Sequence, residues 1–292
     1  MKLSIIIVNY NVTELLRNCL SSIINFVQDL PYEVIVIDNQ SPDSSWKDLM
    51  IEFPKVQFIS SELNYGFAIA NNKAVKKAKG EYVLLLNPDT ELEGFYMKEI
   101  VEFADQHQDL GCLGIRMHDA AGKFLPESKR SVPDMFNSFE KLFTNFKKKK
   151  SKSYYRNDIN EFEIAEVEVI TGAFLLIKRA LYLEIGGLDE KYFMYGEDID
   201  LCFTLLRKKH KNWYYGKSSL LHHKGESTVR DAQYLERFYG AMQIFIDKYY
   251  KNQKPVQHRF LSAGLKLRHR MEVRKLNQKK RDTQLSISFF IL

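Results

Sequence analysis

Carboxylates and carboxamides recur in this chain where short apolar runs end. LSIIIV (3–8) leads into Asn9-Tyr10-Asn11, and EVIVID (33–38) ends on Asp38 and continues Asn39-Gln40-Ser41-Pro42-Asp43. A third run leads to Asn64-Tyr65-Gly66-Phe67, and YVLLL (82–86) opens into Asn87-Pro88-Asp89. Such a set has a defined use: a carboxylate such as Asp38 accepts from a base N–H, amides hold a ribose, and Asp89 holds a divalent ion that neutralises charge developing on a departing diphosphate. A second cluster, Phe193-Met194-Tyr195-Gly196-Glu197-Asp198-Ile199-Asp200-Leu201-Cys202, places three carboxylates at the start of a helical pattern. Acids there complement the helix dipole by a few tenths to about 1 kcal/mol. That effect leaves the aromatic run before them unexplained, and a carboxylate beside apolar groups at a helix start is placed to act as a general base. Taken singly, Asn-Pro-Asp is a turn former and Asp-Asn-x-Ser-x-Asp a turn with a helix cap. Their joint placement at adjacent strand ends points instead to a nucleotide-sugar site.

These residues meet only if the runs before them are neighbouring strands. LSIIIV and EVIVID are continuous apolar runs of the kind buried on both faces. Between them Leu15, Leu16, Cys19, Leu20, Ile23, Ile24 and Val27 recur at helical spacing, with Thr13 placed as N-cap. VQFIS (56–60), a helix through FAIANNKAVKKA ending at Gly80, and YVLLL repeat the unit. Two such βαβ units predict a parallel sheet, and in open α/β sheets ligands bind beyond the carboxyl ends of the strands. From about Arg116 to Glu166 the chain is polar, basic and irregular, with KKKK at 147–150, and reads as a long excursion or lid. Regular patterning returns in EVEVITGAFLLIKR (166–179), a helix from about Asp198 through Lys209, a short strand near Trp213 and an amphipathic helix across 231–250. The expected architecture is one Rossmann-like α/β domain over 1–250 with a basic helical C-terminal extension over 251–292.

Several other classes are excluded. No G-x-G-x-x-G follows the first strand, and Gly216-Lys217-Ser218 lacks the first glycine of a P-loop because position 211 is lysine. Cys19, Cys112 and Cys202 lie far apart in apolar segments with no Cys-x-x-Cys spacing, so reduced core thiols are expected. The net charge of +6 is uneven, since ten Lys/Arg stand against Glu272 alone between Lys254 and Arg281. The body is thus mildly acidic with a basic tail, which argues against a nucleic-acid surface. Leucines, Phe260, Met271 and Val273 interleave with that charge, a composition suited to a helix lying on anionic lipid, with packing on the acidic body as its alternative. The closing LSISFFIL is too short to span a bilayer. No run approaches the roughly 20 apolar residues of a spanning helix, and MKLSIIIVNYN is too quickly polar for a signal peptide. A cytoplasmic chain, peripheral on the inner face of the membrane, is the expectation.

In order, SIIIVNYN, VIDNQSPD, NYGFAIANN, LLLNPD, TGAFLLIKR, GGLDEKYFMYGEDIDLC and HHKGEST resemble family 2 glycosyltransferases over roughly residues 1–245. The likeness is strongest to the rhamnosyltransferase-like enzymes of bacterial surface-polysaccharide assembly. It implies the A-type glycosyltransferase fold, an inverting mechanism, Mg2+ or Mn2+, a UDP- or dTDP-sugar donor and a glycan or lipid-linked glycan acceptor. It also implies that Asp38 reads the base, with Asn9, Tyr10, Asn39, Asn64 and Gly66 beside it. Asn87-Pro88-Asp89 stands where the family has Asp-x-Asp, which makes Asp89 the metal ligand and Asn87 a weaker neutral contact. Glu197-Asp198 resembles the catalytic-base motif, with Asp198 as base and Asp200 in reserve. His222 or His223 stands where some members supply another metal ligand, and adjacent strand residues point to opposite faces, so one at most can serve. Two rival readings remain at this point: a glycoside hydrolase, which also uses two carboxylates but no nucleotide pocket, and an inactive glycan- or lipid-binding assembly protein, which has no need of Asp38, Asp89 and Asp198 together.

Overall fold

The computed structural model of the chain describes residues 1–94, 97–132, 154–223 and 231–290, with side chains as far as 278 and at 281. In chain order the elements are β1 (Leu3–Asn9), α1 (Thr13–Phe26), β2 (Tyr32–Asp38), α2 (Leu49–Glu52), β3 (Gln57–Ser60), α3 (Gly66–Lys77), β4 (Tyr82–Leu86) and β5 (Thr90–Leu92). They continue with α4 (Met97–Gln106), β6 (Leu110–His118), β7 (Ile164–Val167), β8 (Phe174–Lys178), α5 (Arg179–Glu184), α6 (Glu197–Arg207), β9 (Lys211–His222), α7 (Ala232–Tyr250) and α8 (Pro255–Phe290).

Among the described residues the strands form one sheet in the order β3-β2-β1-β4-β8-β6-β9-β5, with β7 paired to β9. The four strands read as parallel are parallel, and their register sets Asn9 directly opposite Asp38. The chain moves outward from β1 through β2 to β3, then returns to place β4 on the other side of β1. The carboxyl ends of β1 and β4 therefore flank the crevice that such a reversal leaves open for a ligand. Beyond β4 the sheet is mixed: β8 runs antiparallel to β4 and β6, and β5 antiparallel to β9.

The continuous apolar runs fill both faces because successive strand side chains point to opposite sides. Leu3, Ile5 and Ile7 join Leu16, Leu20 and Ile23 of α1 and Met97 and Ile100 of α4 in one layer. Ile6, Val8, Ile35 and Ile37 join Ala68, Ala74 and Val75 of α3 and Leu201, Cys202 and Leu205 of α6 in the other. All three cysteines are free and buried, as expected.

Four local expectations are corrected. Val12, not Thr13, precedes the first helical residue of α1, and the Thr13 hydroxyl instead shares a 2.7 Å hydrogen bond with that of Ser45. Helix α3 ends at Lys77, because Ala78 turns extended, so Gly80 lies beyond it. The strand near Trp213 is long, running twelve residues from Lys211 to His222, since it pairs with β5, β6 and β7 along its length. The stretch from Arg116 to Glu166 is regular at both ends: Arg116 to His118 belong to β6 and Ile164 to Glu166 to β7. The lid reading itself, with Lys147 to Lys150, lies outside the described residues.

Two compact units divide the chain. Of the described residues the first holds 1–132, 154–193 and 197–223, and the second holds Met194–Gly196 and 231–290. The second unit thus takes in α7 as well as the basic segment. In it, Asp231 caps α7 by accepting from the Tyr234 N–H at 2.8 Å. Tyr239 and Ile246 of α7 bury Leu261 and Leu265 of α8. No helix among the described residues is long and apolar enough to cross a membrane.

Candidate active site

The residues that sequence assigns to catalysis, donor binding and metal binding all lie in the first unit. At the end of β1 the Asn9 side chain is fully buried and donates to Asp38 at 2.8 Å. Asp38 also accepts from the Ser41 backbone N–H at 3.0 Å and from the Ser41 hydroxyl. The same hydroxyl accepts from the Asn11 N–H at 2.8 Å. Asn11 and Gln40 have φ of 57° and 63°, a left-handed backbone that returns each chain sharply across its strand end. Beside them the Asn39 amide donates to Asn64 Oδ1 at 2.8 Å and accepts from the Tyr65 N–H at 3.0 Å, while Gln40 accepts from the Asn64 N–H at 3.0 Å. Asn9, Asp38, Asn39 and Asn64 are one hydrogen-bonded floor, with Tyr10 exposed at its rim. A floor held this way is fixed before any ligand arrives.

Gly66 serves this floor through its backbone. At φ 78° a Cβ would run into the Phe193 carbonyl oxygen, which accepts from the Phe67 N–H at 2.7 Å. Docking the 64–67 loop on Phe193 therefore requires glycine there. A second junction explains the GGLD run. The buried Asn72 amide accepts from the Tyr182 hydroxyl at 2.6 Å and the Leu188 N–H at 3.1 Å, and donates to the Leu188 carbonyl at 2.9 Å. A Cβ on Gly187 would displace it.

Beyond β4, Asp89 is buried and faces His222, whose Nε2 lies 3.4 Å from Asp89 Oδ1. The antiparallel pairing of β5 with β9, which sets Thr90 against His222, makes the approach possible. His223 is turned to Glu91, with Nε2 2.6 Å from its carboxylate. Geometry thus separates the two histidines and puts His222 with Asp89. Two ligands each about 2.1 Å from one ion stand about 3.0–3.5 Å apart, so a carboxylate and an imidazole at this spacing fit a shared divalent cation. His222 Nδ1 is buried with no hydrogen-bond partner among the described residues, consistent with a ring oriented through Nε2. No group of three or more His, Cys, Asp or Glu side chains among the described residues could hold an ion. The remaining coordination positions would fall to diphosphate oxygens and water. The Asn87 backbone is used instead in support: its N–H donates to the Ala173 carbonyl at 3.0 Å and its carbonyl accepts from Thr90 Oγ1 at 2.7 Å.

The third part begins α6. Asp198 Oδ2 accepts from Arg130 at 2.6 Å and from the Gly172 N–H at 3.2 Å, and Oδ1 accepts from the Ile199 N–H at 2.7 Å. Arg130 is tied in turn to the Ile170 carbonyl at 2.9 Å and the Tyr154 hydroxyl at 3.3 Å. The Thr171 to Ala173 turn therefore joins two halves of the site, bonding Asn87 through Ala173 and Asp198 through Gly172. Of the three carboxylates, Asp198 has a side chain 13% exposed, Glu197 is buried, and Asp200 is turned inward beside the Tyr192 hydroxyl. Burial first, and the Asp198 charge second, push the Glu197 carboxyl up to about 8. It is protonated near neutrality, and its Oε2 has no partner among the described residues.

Ser41 and the 171–173 turn were legible only as parts of longer motifs. Arg130 and Lys129 are both engaged within the fold. Arg130 is spent on Asp198, and Lys129 Nζ donates to the Arg156 carbonyl at 2.9 Å. No periodicity marks either residue in so irregular a stretch.

The sequence model described as Glycosyl transferase family 2 matches residues 4–183. N-acetylglucosaminyl-diphospho-decaprenol L-rhamnosyltransferase of Mycobacterium tuberculosis is 26% identical over 98% of this chain and 97% of its own. Rhamnosyltransferase WbbL of Escherichia coli is 26% identical over 69% of this chain and 75% of its own. Among solved structures, S. aureus TarS 1-349 aligns with a TM-score of 0.57 at 19% identity, covering 92% of this chain and 72% of that one. GalNAc-T7 with UDP, GalNAc and Mn2+ aligns at 0.59 and 16% identity, covering 84% and 47%. These structural likenesses speak for the fold, which is the A-type glycosyltransferase fold, and the hydrolase reading falls with the family match. The matched segment carries the strand ends that build the polar floor, and on that ground the chain belongs to glycosyl transferase family 2 and is a nucleotide-sugar glycosyltransferase.

Proposed function

We propose that the chain transfers a deoxyhexosyl or hexosyl group, with inversion, from a UDP- or dTDP-sugar to a hydroxyl of a lipid-linked glycan in cell-surface polysaccharide assembly. The observation that carries this reading is the joint anchoring of Asn87 and Asp198 on the Thr171 to Ala173 turn, beside a preformed floor around Asp38. The donor class is supported by TarS 1-349 in complex with UDP-GlcNAc, and the lipid-linked acceptor by the printed name of the mycobacterial relative, whose match is nearly full length.

In this reading Asp38, held by Asn9 and Ser41, accepts from a base N–H, and the amides of Asn39 and Asn64 meet the ribose. Asp89 and His222 hold a divalent ion. When bound, Mg2+ or Mn2+ offsets the charge that develops on the leaving diphosphate. Asp198 Oδ1 accepts one N–H, so it keeps a lone pair for the acceptor hydroxyl. It takes that proton as the hydroxyl oxygen bonds to the anomeric carbon, and the bond to the diphosphate oxygen breaks with its electron pair leaving on the diphosphate. One displacement from the face opposite the leaving group inverts the centre. Neutral Glu197 keeps a second negative charge away from the base, and Asp200 remains a reserve only.

The test is Asp198→Asn. A general base contributes roughly 10²- to 10⁴-fold, so turnover should fall by that much while donor affinity, measured by calorimetry, stays within about twofold. Wild-type turnover in this variant would overturn the assignment.

A further inference from the structure

Helix α8 has a face that the second unit does not use. Its inner face is fully engaged by α7: Leu261 and Leu265 are buried against Tyr239 and Ile246, His269 stacks on Tyr239 at 4.8 Å, Ser262 accepts from Gln243 at 2.9 Å, and His258 meets Asp247 at 2.6 Å. Opposite lie Val256, Phe260, Leu267 and Met271, exposed by 66%, 67%, 50% and 50%. At 100° per residue these four fall within about 60° of the helix circumference. The apolar residues that sequence alone left undivided thus split into a packed set and a free stripe.

Charge follows the same division. Arg259, Lys266 and Arg270 are exposed along one edge of the stripe, and Arg274 continues its line. Glu272, the single acid among the residues from Lys254 to Arg281, is outside the stripe and paired with Lys275 at 3.3 Å. Arg268 is directed to the Tyr239 hydroxyl. A free apolar stripe edged by cations and clear of acids is complementary to a surface that is anionic outside and apolar beneath.

We propose that this face of α8 lies on an anionic lipid bilayer, with Val256, Phe260, Leu267 and Met271 inserted at the headgroup boundary and Arg259, Lys266, Arg270 and Arg274 set against lipid phosphates. The guanidinium and ammonium heads reach the phosphates while their stems cover the edge of the inserted stripe. The proposal identifies the face and its residues, and it stands whether or not the acceptor is lipid-linked.

The experiment is co-sedimentation of the full chain with vesicles of phosphatidylglycerol and phosphatidylcholine, and of phosphatidylcholine alone, at low and high salt. Binding is expected only with phosphatidylglycerol and should weaken strongly in salt, because exposed cations are screened beyond about 10 Å at 0.1 M. Arg270→Glu should cut the partition coefficient by about fivefold or more, the fold-change that corresponds to about 1 kcal/mol per cation. Leu267→Glu should cut it by a larger factor, with the helical circular dichroism unchanged because the side chain is half exposed. Ile51→Glu, at a still more exposed apolar residue of the first unit, should leave it unaltered. Equal binding by Leu267→Glu and wild type would overturn the proposal. So would absence of binding to phosphatidylglycerol vesicles at low salt, or a self-association that Leu267→Glu abolishes without vesicle binding. Transfer to a soluble acceptor is measured in parallel, so a failure of lipid binding and a failure of the transferase assignment are read separately.

Discussion

Replacing Arg130 with Met keeps much of the side-chain length and removes the charge that faces Asp198. Both side chains are nearly inaccessible, 11% and 13% exposed, so solvent screens the pair little. Breaking a buried pair by removing one partner costs about 3–5 kcal/mol, chiefly because the other charge is stranded. The lost bond to the Ile170 carbonyl adds about 1 kcal/mol. Arg130→Met alone should therefore lose about 4–6 kcal/mol in urea unfolding at neutral pH. In an Asp198→Asn background the guanidinium has already lost its counter-charge, so the same substitution removes an unpaired buried charge and should cost no more than about 1 kcal/mol, for the bond to the Ile170 carbonyl. The cycle gives a coupling of about 3 kcal/mol or more, far outside the few tenths expected of independent sites. Additive losses, within about 0.5 kcal/mol, would refute the claim that Arg130 acts through Asp198.

The shared-ion geometry makes Asp89→Ala and His222→Ala act alike. Each should abolish the Mn2+-induced rise in melting temperature measured in the presence of UDP and weaken donor binding and turnover together, whereas His223→Ala, which removes only the partner of Glu91, should do neither. An undiminished Mn2+ response in His222→Ala would remove that residue from the ligand set. Glu197 carries the pH prediction: its folded-state value of about 8 lies above the ordinary 4.5, so the protonated carboxyl gives its full stabilisation below about 4.5 and loses it as pH rises through about 8. Glu197→Gln cannot titrate, and its stability relative to wild type should rise across that window by up to about 5 kcal/mol. A flat difference between pH 5 and 8.5 would show that Glu197 is ionised in the folded protein throughout.

Much of the site was legible because strands buried on both faces are continuous apolar runs, and a chain leaving such a strand must turn polar at once. That is why Asn9, Asp38, Asn64 and Asp89 could be singled out together, and why the family likeness rests on those same strand ends. Helix α6 was legible for a similar reason, since acids before an apolar helical pattern mark its start. The long β9 was read as short because its polar residues, Lys217, Ser218 and Ser219, break the expected strand pattern. Its pairing with β5, β6 and β7 overrides that local preference.

Sequence by itself determined the parallel half of the sheet, the polar strand ends and the concentration of charge in the last forty residues, roughly, because each is a local pattern of side chains along the chain. Only the tertiary structure decided that His222 and not His223 faces Asp89, since both occupy one strand end and the choice depends on how β9 pairs with β5. Only it showed that Arg130, 68 residues from Asp198, fixes that carboxylate. And only it divided the apolar residues of α8 into a packed face and a free one, because helical periodicity puts residues on faces but the packing partner alone settles which face is covered.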